Sequence, residues 1–394
     1  MTIHYELPTT ADFAALAGPH HPAVTIYVST SPVVSERERA EVAVKSAFDE
    51  AVEQLKSADA SGPEVAAVRA ERDRILGDLQ LWGSLARSMA IFVAPDFSEL
   101  FVLPNRLDDA VHVGSHFTLG QLLRAPSQDQ EAFALTLSAN EWTLWHATPT
   151  ERAAPLDVDD SHDKSLEDAN HLDLSDDDKP RGGMHGDRGV QGDERKKGFF
   201  ELYAKRVADA VRQELMRRDP DERLPLFVFA TEPLLSLFID RLHNGRRIAG
   251  VAGAPDRLGA AEVDDALREQ LAALNIAEAD AALRALNEGV AGRVERDLAA
   301  IAREAADGAV ETLWFDFTTS VNGTLDRESG AIEFASGQGA GEALDDGTHA
   351  GDLLPQLALL VMAKGGKVVT VRSDDLDGTV WSGPAMAELR FALA

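Results

Sequence analysis

Apolar positions along the chain alternate between strand-like runs and helical spacing, which predicts a mixed fold. Ala23–Ser29 is an apolar run closed by a Thr-Ser-Pro turn and indicates a buried strand. Residues 40–55 carry apolar side chains at helical spacing, with Ser35 and Glu38 placed as a capping box at the helix start. A second helix follows Gly62-Pro63. The two helices predict an antiparallel helical hairpin, and strands follow it.

The middle of the chain has a strand–helix–strand–helix order. Ala132–Ser138 and Glu141–His146 predict a tight hairpin. An amphipathic helix is predicted from Phe199 onward, and Leu224–Ala230 is apolar almost throughout, as in a strand covered on both faces. This order indicates an α/β domain.

The last part of the chain repeats this alternation. A long helix is predicted over about Ala277 to Ala306, ended by Gly308, and a buried strand is predicted over Val310–Phe317. Thr318 to Gly351 is polar and glycine-rich and contains little that packs, whereas Leu353–Ala363 is an apolar helix. These elements predict a layered α/β/α domain.

The length of the chain predicts more than one core, because 394 residues exceed what one domain usually holds. We predict an N-terminal α+β domain with a helical hairpin over residues 1–128. A central α/β domain covers 129–274, and a C-terminal α/β/α domain covers 275–394. A long glycine-rich loop, residues 150–198, interrupts the central domain.

Composition narrows the class of protein. The chain has no cysteine, which excludes disulfides, thiolate zinc sites and cysteine nucleophiles. It has no apolar run of membrane-spanning length and no signal-peptide pattern at its start, so we expect a cytoplasmic protein without membrane contact. The formal charge of −29 argues against a protein that coats nucleic acid generally. It leaves room for contact with RNA through one confined basic patch.

The long loop contains such a patch. Residues 157–178 are strongly acidic, and a glycine-rich basic segment follows them. We interpret that segment as an arm that contacts a large anionic partner, although a solvated linker is an equally good reading of its composition. The candidate RNA-binding residues are Arg181, Gly182, Gly183, His185, Arg188, Arg195, Lys196 and Lys197.

Motifs of common enzymes are missing from the sequence. It has no phosphate-binding loop, no Gly-x-Ser-x-Gly elbow and no zinc-binding helix with two histidines. His112 and His116 are four residues apart, but His112 lies on a predicted strand, where that spacing does not bring two rings to one ion. We therefore expect no catalytic residues, no metal site and no cofactor, and lean towards a protein that is not an enzyme.

Several stretches together resemble the archaeo-eukaryotic class 1 release factor and Pelota superfamily, in its bacterial branch. In the last domain, residues 307–313 resemble the family's helix-to-strand junction, and residues 383–391 resemble its closing strand. In the central domain, the strand LFVFA and residues 247–251 follow the family's order. The resemblance extends over nearly the whole chain, although each motif is short.

The resemblance implies a ribosome-binding factor. In release factors of this superfamily, a Gly-Gly-Gln loop of the central domain enters the peptidyl-transferase centre; here Gly182-Gly183 is followed by Met184. Stop-codon-dependent hydrolysis is therefore not expected. The implied function is that of a non-catalytic ribosome hibernation or rescue factor, linked to stress, that contacts ribosomal RNA through the basic loop. An elongation-type GTPase is a further expected partner.

Two alternatives remain open at the level of sequence. One is a metal-dependent nuclease or esterase that uses the acids of the long loop together with His162, His171 and His185. The other is a stress-linked protein-interaction module, with Thr318 to Gly351 as its contact surface.

Overall fold

The chain forms two compact units, each described here by itself. The computed structural model describes residues 1–18, 20–158, 164–171, 188–242, 245–289, 292–335, 351–376, 378 and 380–392. The discontinuous unit consists of Met1–Gln130 and Leu271–Ala394, and the central unit consists of Glu131–Gln270.

The helices and strands of the chain follow in order. Up to the end of the first segment they are β1 (Thr2–His4), α1 (Thr10–Leu16), β2 (Ala23–Ser29), α2 (Arg37–Ser57), α3 (Gly62–Gly77), α4 (Leu79–Gly83), β3 (Ser88–Ala94), β4 (Phe97–Leu103), β5 (Ala110–Gly114) and α5 (Arg124–Ser127). The next are β6 (Ala132–Leu137), β7 (Trp142–Ala147), β8 (Ala154–Pro155), α6 (Leu166–His171), α7 (Arg188–Arg218), β9 (Leu226–Ala230), α8 (Leu234–Arg241), β10 (Ile248–Ala252) and α9 (Ala260–Glu288). The last are β11 (Val294–Glu295), α10 (Leu298–Ala306), β12 (Val310–Asp316), β13 (Asn322–Leu325), β14 (Ile332–Phe334), β15 (Gly351–Asp352), α11 (Leu353–Ala363), β16 (Lys367–Val371) and β17 (Ala385–Leu389).

The first sheet of the discontinuous unit is covered on both faces. Its strand order is β1-β4-β3-β2-β5, with β1 parallel to β4 and the other pairs antiparallel. Along β2, Val24 and Ile26 point into a core shared with α2 and α3, whereas Tyr27 points into the core on the other face. The alternation follows from the two-residue period of a strand.

The helical hairpin of α2 and α3 confirms the predicted pair of helices but corrects their caps. Ser35 lies in a 3₁₀ turn, and α2 begins at Arg37 without a side-chain cap. The capping box is at the second helix instead, where the carboxylate of Glu64 accepts hydrogen bonds from the amide and hydroxyl of Ser61 at 2.6 and 2.7 Å.

The C-terminal sheet of this unit, in the order β11-β17-β12-β16, has helices on both faces. On β12, Leu313 and Phe315 pack into the core that contains α10 and α11, whereas Trp314 packs against Leu283 of α9. The core beneath α10 and α11 also holds apolar residues of the first sheet, including Phe92. The first and last parts of the chain therefore share one hydrophobic core.

The long helix predicted over residues 277–306 is two separate helices. Helix α9 ends at Glu288, and α10 begins at Leu298, capped by Asp297, whose carboxylate accepts from the amide of Ala300 at 2.8 Å. Between them β11 pairs with β17, and Gly292 adopts a φ of 86°, a left-handed conformation that glycine tolerates. The apolar spacing continued across this break and concealed it.

The polar stretch after β12 is also more ordered than its composition indicates. Strands β13, β14 and β15 form a small antiparallel sheet, and Val321, Leu325 and Ile332 pack against the shared core. The expectation that this stretch contains little that packs is therefore wrong for residues 318–335. Residues 336–350 lie outside the described residues.

The central unit contains a five-stranded sheet in the order β10-β9-β6-β7-β8. Strands β10, β9 and β6 are parallel, and β6 and β7 form the predicted hairpin. Apolar residues of β6 and β9 pack with α7 and α8 in one core, in which Tyr203 and Phe238 are fully buried. This core holds the first long helix of the unit against the sheet.

The fold class holds in its coarse form: the chain is a mixed α/β protein with several sheets. The three predicted domains, and the likeness of the last one to the third domain of release factors, stay predictions. Across the described part of the chain, no helix has the length and apolar character needed to cross a membrane.

Candidate functional site

The predicted basic arm connects two helices of the central unit, α6 and α7. Arg181, Gly182, Gly183 and His185 lie outside the described residues. The backbone places Arg188, Arg195 and Lys196 in the first turns of α7, together with Lys197.

Helix α7 thus begins eleven positions earlier than the predicted start at Phe199 (199 − 188 = 11). The prediction that residues 150–198 form a loop is wrong for this part. It is also wrong for β8 and α6, which are regular elements within the same range. The basic residues at its end are therefore held on a helix.

The tip of the β6–β7 hairpin anchors α6 and α7. The hydroxyl of Tyr203 on α7 donates to the carbonyl oxygens of Ser138 and Lys164 at 3.0 and 3.3 Å. The amide of Leu166, at the start of α6, donates to the carbonyl of Ala139 at 2.9 Å. Burial, followed by the nearby charge of Asp168, raises the pKa of the Tyr203 hydroxyl, which stays protonated as a donor. The chain on both sides of the basic segment is therefore fixed to one sheet.

Tyr203→Phe is expected to lower the free energy of unfolding of the central unit by about 1 to 3 kcal/mol. It removes the hydroxyl that donates to the carbonyl of Ser138 in a buried place and to the carbonyl of Lys164 in a partly buried one. Urea unfolding followed by circular dichroism measures the change. Tyr5→Phe, at a tyrosine of the discontinuous unit that is only partly buried, is the control and should change stability by less than about 0.5 kcal/mol. Equal effects of the two substitutions would contradict the anchoring role.

The positive charge of α7 is unevenly compensated. Near its C-terminal end, Arg217 and Arg218 both contact the buried carboxylate of Glu214, Arg217 at 2.6 Å. Burial by itself would raise the pKa of Glu214, but the hydrogen bonds from these two arginines hold it below its usual value. In the N-terminal half, Lys197 is exposed and 3.9 Å from Glu201, and Lys205 is exposed with no ion pair to a described residue. Among the described side chains of α7, Lys205 thus lacks the carboxylate partner that Arg217 and Arg218 have.

A cavity of about 320 Å³ in the discontinuous unit is a second candidate site, which sequence analysis missed. Arg124 lies at its wall with its guanidinium carbon 4.3 Å from the centroid of the Phe317 ring, and Arg372 lies 5.2 Å from the same ring. The Nε and Nη1 atoms of Arg124 are buried without a hydrogen-bond partner. Burial lowers the pKa of Arg124 to about 10. Such a guanidinium can accept an anionic group from a ligand.

Within the described residues, the group of possible metal ligands lies outside the long loop, where one alternative placed a metal. His162 and His185 lie outside those residues, and His171 ends α6 without a described side chain. Within the described ranges, His4, Asp12 and Glu99 form the group of three possible ligands whose atoms come within 4.8 Å of one another. His112 lies on β5, and His116 follows the end of that strand.

The family of the central region follows from a comparison with family models. Residues 133–309 match the model of bacterial archaeo-eukaryotic release factor family 3. This stretch is similar to that release-factor family. The match contains α6, the complete basic segment and α7, and it confirms the superfamily assignment made from the sequence. No curated protein matches the chain.

Solved structures with a similar order of elements are distant. The archaeal translation termination factor aRF1 is 12% identical and aligns over 98% of this chain and 99% of its own, with a TM-score of 0.25. Pelota from Archaeoglobus fulgidus is 13% identical over 77% of this chain and 79% of its own, with a TM-score of 0.32. Dom34 from S. cerevisiae, a translation termination-like factor described as interacting with Hbs1, is 12% identical over 78% and 79%, with a TM-score of 0.32. TM-scores this low carry no argument about the family. The assignment therefore rests on the match of residues 133–309 to the family model.

Proposed function

We propose that this chain is a ribosome-associated translation factor that contacts ribosomal RNA through the basic segment between α6 and α7. The observation that carries the proposal is the match to a release-factor family over residues 133–309, which contain all eight predicted RNA-binding residues. The anchoring of α6 and α7 to the hairpin tip supports it, because it gives the segment a fixed base.

The charge distribution of α7 supports a confined contact. A protein with a formal charge of −29 is repelled by RNA over most of its surface. Attraction therefore needs a local excess of positive charge. Arg217 and Arg218 supply less of it because the carboxylate of Glu214 offsets one of their two charges. Arg188 and Arg195 are seven positions apart on α7, which is about two turns of a helix. Lys196 and Lys197 follow Arg195 in the sequence.

The proposed contact does not include hydrolysis of peptidyl-tRNA. Met184 stands where a Gly-Gly-Gln motif would place glutamine, so the segment lacks the amide side chain of that motif. A factor that binds the ribosome without releasing the peptide fits a role in hibernation or rescue. Delivery by an elongation-type GTPase stays a prediction.

Sedimentation of the purified protein with ribosomes through a sucrose cushion, at a series of salt concentrations, tests the proposal. We expect wild-type protein to pellet with ribosomes at low salt and to dissociate steeply as salt rises. Replacing Arg181, Arg188, Arg195, Lys196 and Lys197 together by alanine should reduce the slope of log affinity against log salt by up to about 3 to 4.

A matched control changes the net charge equally at other places. Arg39, Lys45, Arg69, Arg106 and Arg327 are exposed residues of the discontinuous unit without an ion pair to a described residue. Their joint replacement by alanine should leave the salt slope unchanged. If both five-residue variants lose the same affinity, the contact is not confined to the basic segment. If wild-type protein stays off ribosomes at low salt, the proposed function is wrong.

A further inference from the structure

Three metal-ligand side chains converge on one face of the first sheet from three different elements. Strand β1 runs parallel to β4, with His4 opposite Phe101 in the register. Glu99 lies two residues before Phe101 on β4 and therefore on the same face. Asp12 belongs to the first turn of α1. The ring of His4 stacks on the ring of Phe101, with centroids 4.4 Å apart and an interplanar angle of 11°, which fixes the direction of the imidazole.

Two of the polar atoms at this place are buried and have no hydrogen-bond partner. They are Nε2 of His4 and Oε2 of Glu99, which lie 3.6 Å apart. That distance is too long for a hydrogen bond between them. Leaving such atoms unsatisfied costs free energy, so a further group is expected to bind both.

The third side chain is held in place by the helix cap. Oδ2 of Asp12 accepts hydrogen bonds from the amide and the hydroxyl of Thr9, each at 2.7 Å. This capping box orients the carboxylate before any ligand binds. One ligand atom from each of His4, Asp12 and Glu99 then lies within 4.8 Å of the other two.

A similar pair in the central unit shows what these residues do when they need no further ligand. His146 stacks on Phe133, with centroids 4.7 Å apart, and its Nε2 lies 2.8 Å from the carboxylate of Glu131. That pair is closed by a direct hydrogen bond. The distance from Nε2 of His4 to Oε2 of Glu99 is 3.6 Å, which is 0.8 Å longer (3.6 − 2.8) than the one in the closed pair. The carboxylate of Asp12 also lies close to this open pair. The open pair and the second carboxylate together offer three ligand atoms within 4.8 Å of one another.

We propose that His4, Asp12 and Glu99 bind a divalent transition-metal ion of the zinc type. One imidazole and two carboxylates are suitable ligands for Zn²⁺, with bonds of about 2.0 to 2.2 Å. In a tetrahedron with such bonds, the ligand atoms are about 3.4 Å apart, close to the distance between Nε2 of His4 and Oε2 of Glu99. The ion would connect β1 and α1 to β4.

The electrostatics of the site agree with a bound cation. Asp12 and Glu99 bring two carboxylates to one partly buried place beside His4. Two carboxylates at one partly buried place repel each other, and a dication offsets both charges. Because the ligands are contributed by separate elements, binding should favour the folded chain over the unfolded one.

Isothermal titration of chelator-treated full-length protein with ZnCl₂ tests this site. Wild-type protein should bind one zinc ion at this site, and zinc should raise the temperature of thermal unfolding. Glu99→Gln and His4→Gln should each weaken zinc binding at this site by more than about tenfold. Circular dichroism without metal checks that both variants are folded, and Asp12→Asn provides a third ligand variant if one is not.

Two control variants make the result specific. His146→Gln removes the imidazole of the closed pair and should leave zinc affinity unchanged. A His171→Gln, His185→Gln double variant tests the acidic, histidine-containing long loop and should also leave it unchanged. The proposal is overturned if wild-type protein does not bind zinc, if the His4 and Glu99 variants bind it as wild type does, or if binding is lost only with His171 and His185.

Discussion

Asp219→Ala is expected to lower the free energy of unfolding of the central unit by about 3 to 5 kcal/mol, because it leaves a buried guanidinium without its carboxylate. The side chains of Arg246 and Asp219 are 1% and 9% exposed, and Nη1 of Arg246 lies 2.6 Å from Oδ2 of Asp219. Arg246 also donates to the carbonyl of Leu224 at 2.5 Å. Urea unfolding followed by circular dichroism measures the loss.

The matched control lies two residues away. Asp221 forms an ion pair with Arg223 at 3.0 Å, but both side chains are largely exposed. Asp221→Ala should therefore change stability by less than about 1 kcal/mol. A similar loss for Asp219→Ala and Asp221→Ala would show that the buried pair does not stabilise the end of α7.

The same pair gives stability a defined pH dependence. Burial would raise the pKa of Asp219, but the amide of Leu224 and the guanidinium of Arg246 hold it below its usual value. A carboxyl group with a lowered pKa in the folded state stabilises fully above its unfolded pKa of about 4, and this stabilisation is lost as pH falls through the folded pKa. Asp219→Asn should therefore lose less stability than wild type on acidification below about pH 4.

Gly330→Ala is expected to destabilise the discontinuous unit by about 3 kcal/mol or more. Gly330 has a φ of 70°, which is strained for a residue with a side chain. A Cβ atom there would lie 2.4 Å from the carbonyl oxygen of Ala302 and 2.6 Å from Cα of Arg303. Both are backbone atoms of α10, so a rotamer change cannot relieve the overlap. Thermal and urea unfolding measure the effect.

The control for this substitution is Gly77→Ala. A Cβ at Gly77 meets nothing within 4 Å, and the residue is the last of helix α3 in the same unit. Stability should change by no more than about 0.5 kcal/mol. If Gly330→Ala is tolerated equally well, the turn between β13 and β14 does not pack against α10 in the way described.

Elements buried on both sides were predictable from the sequence to within a residue or two. The predictions for Ala23–Ser29 and Leu353–Ala363 are confirmed with the same bounds. Their signal is local, because a continuous apolar run between turn residues determines each one. The helix predicted over residues 277–306 was wrong because apolar spacing does not show where a strand such as β11 interrupts it.

The candidate sites were predictable only where the signal is contiguous. The basic segment is one run of sequence, and its family is confirmed by the match of residues 133–309. The wall of the Arg124 cavity is different, since Arg124 and Arg372 are 248 positions apart (372 − 124) and meet at the ring of Phe317. His4 and Glu99 are likewise joined by the pairing of β1 with β4. The spacing of residues along the chain does not show which distant residues come into contact in the fold.

The shared core of the discontinuous unit has a consequence for synthesis of the protein. Apolar side chains such as Phe92 leave the ribosome long before their packing partners Leu313 and Phe315 on β12. The central unit is one uninterrupted run of chain and is complete while those partners are still being made. A nascent chain stalled before β12 therefore exposes the apolar side chains of the first sheet to chaperones and proteases, because their packing partners have not yet been made.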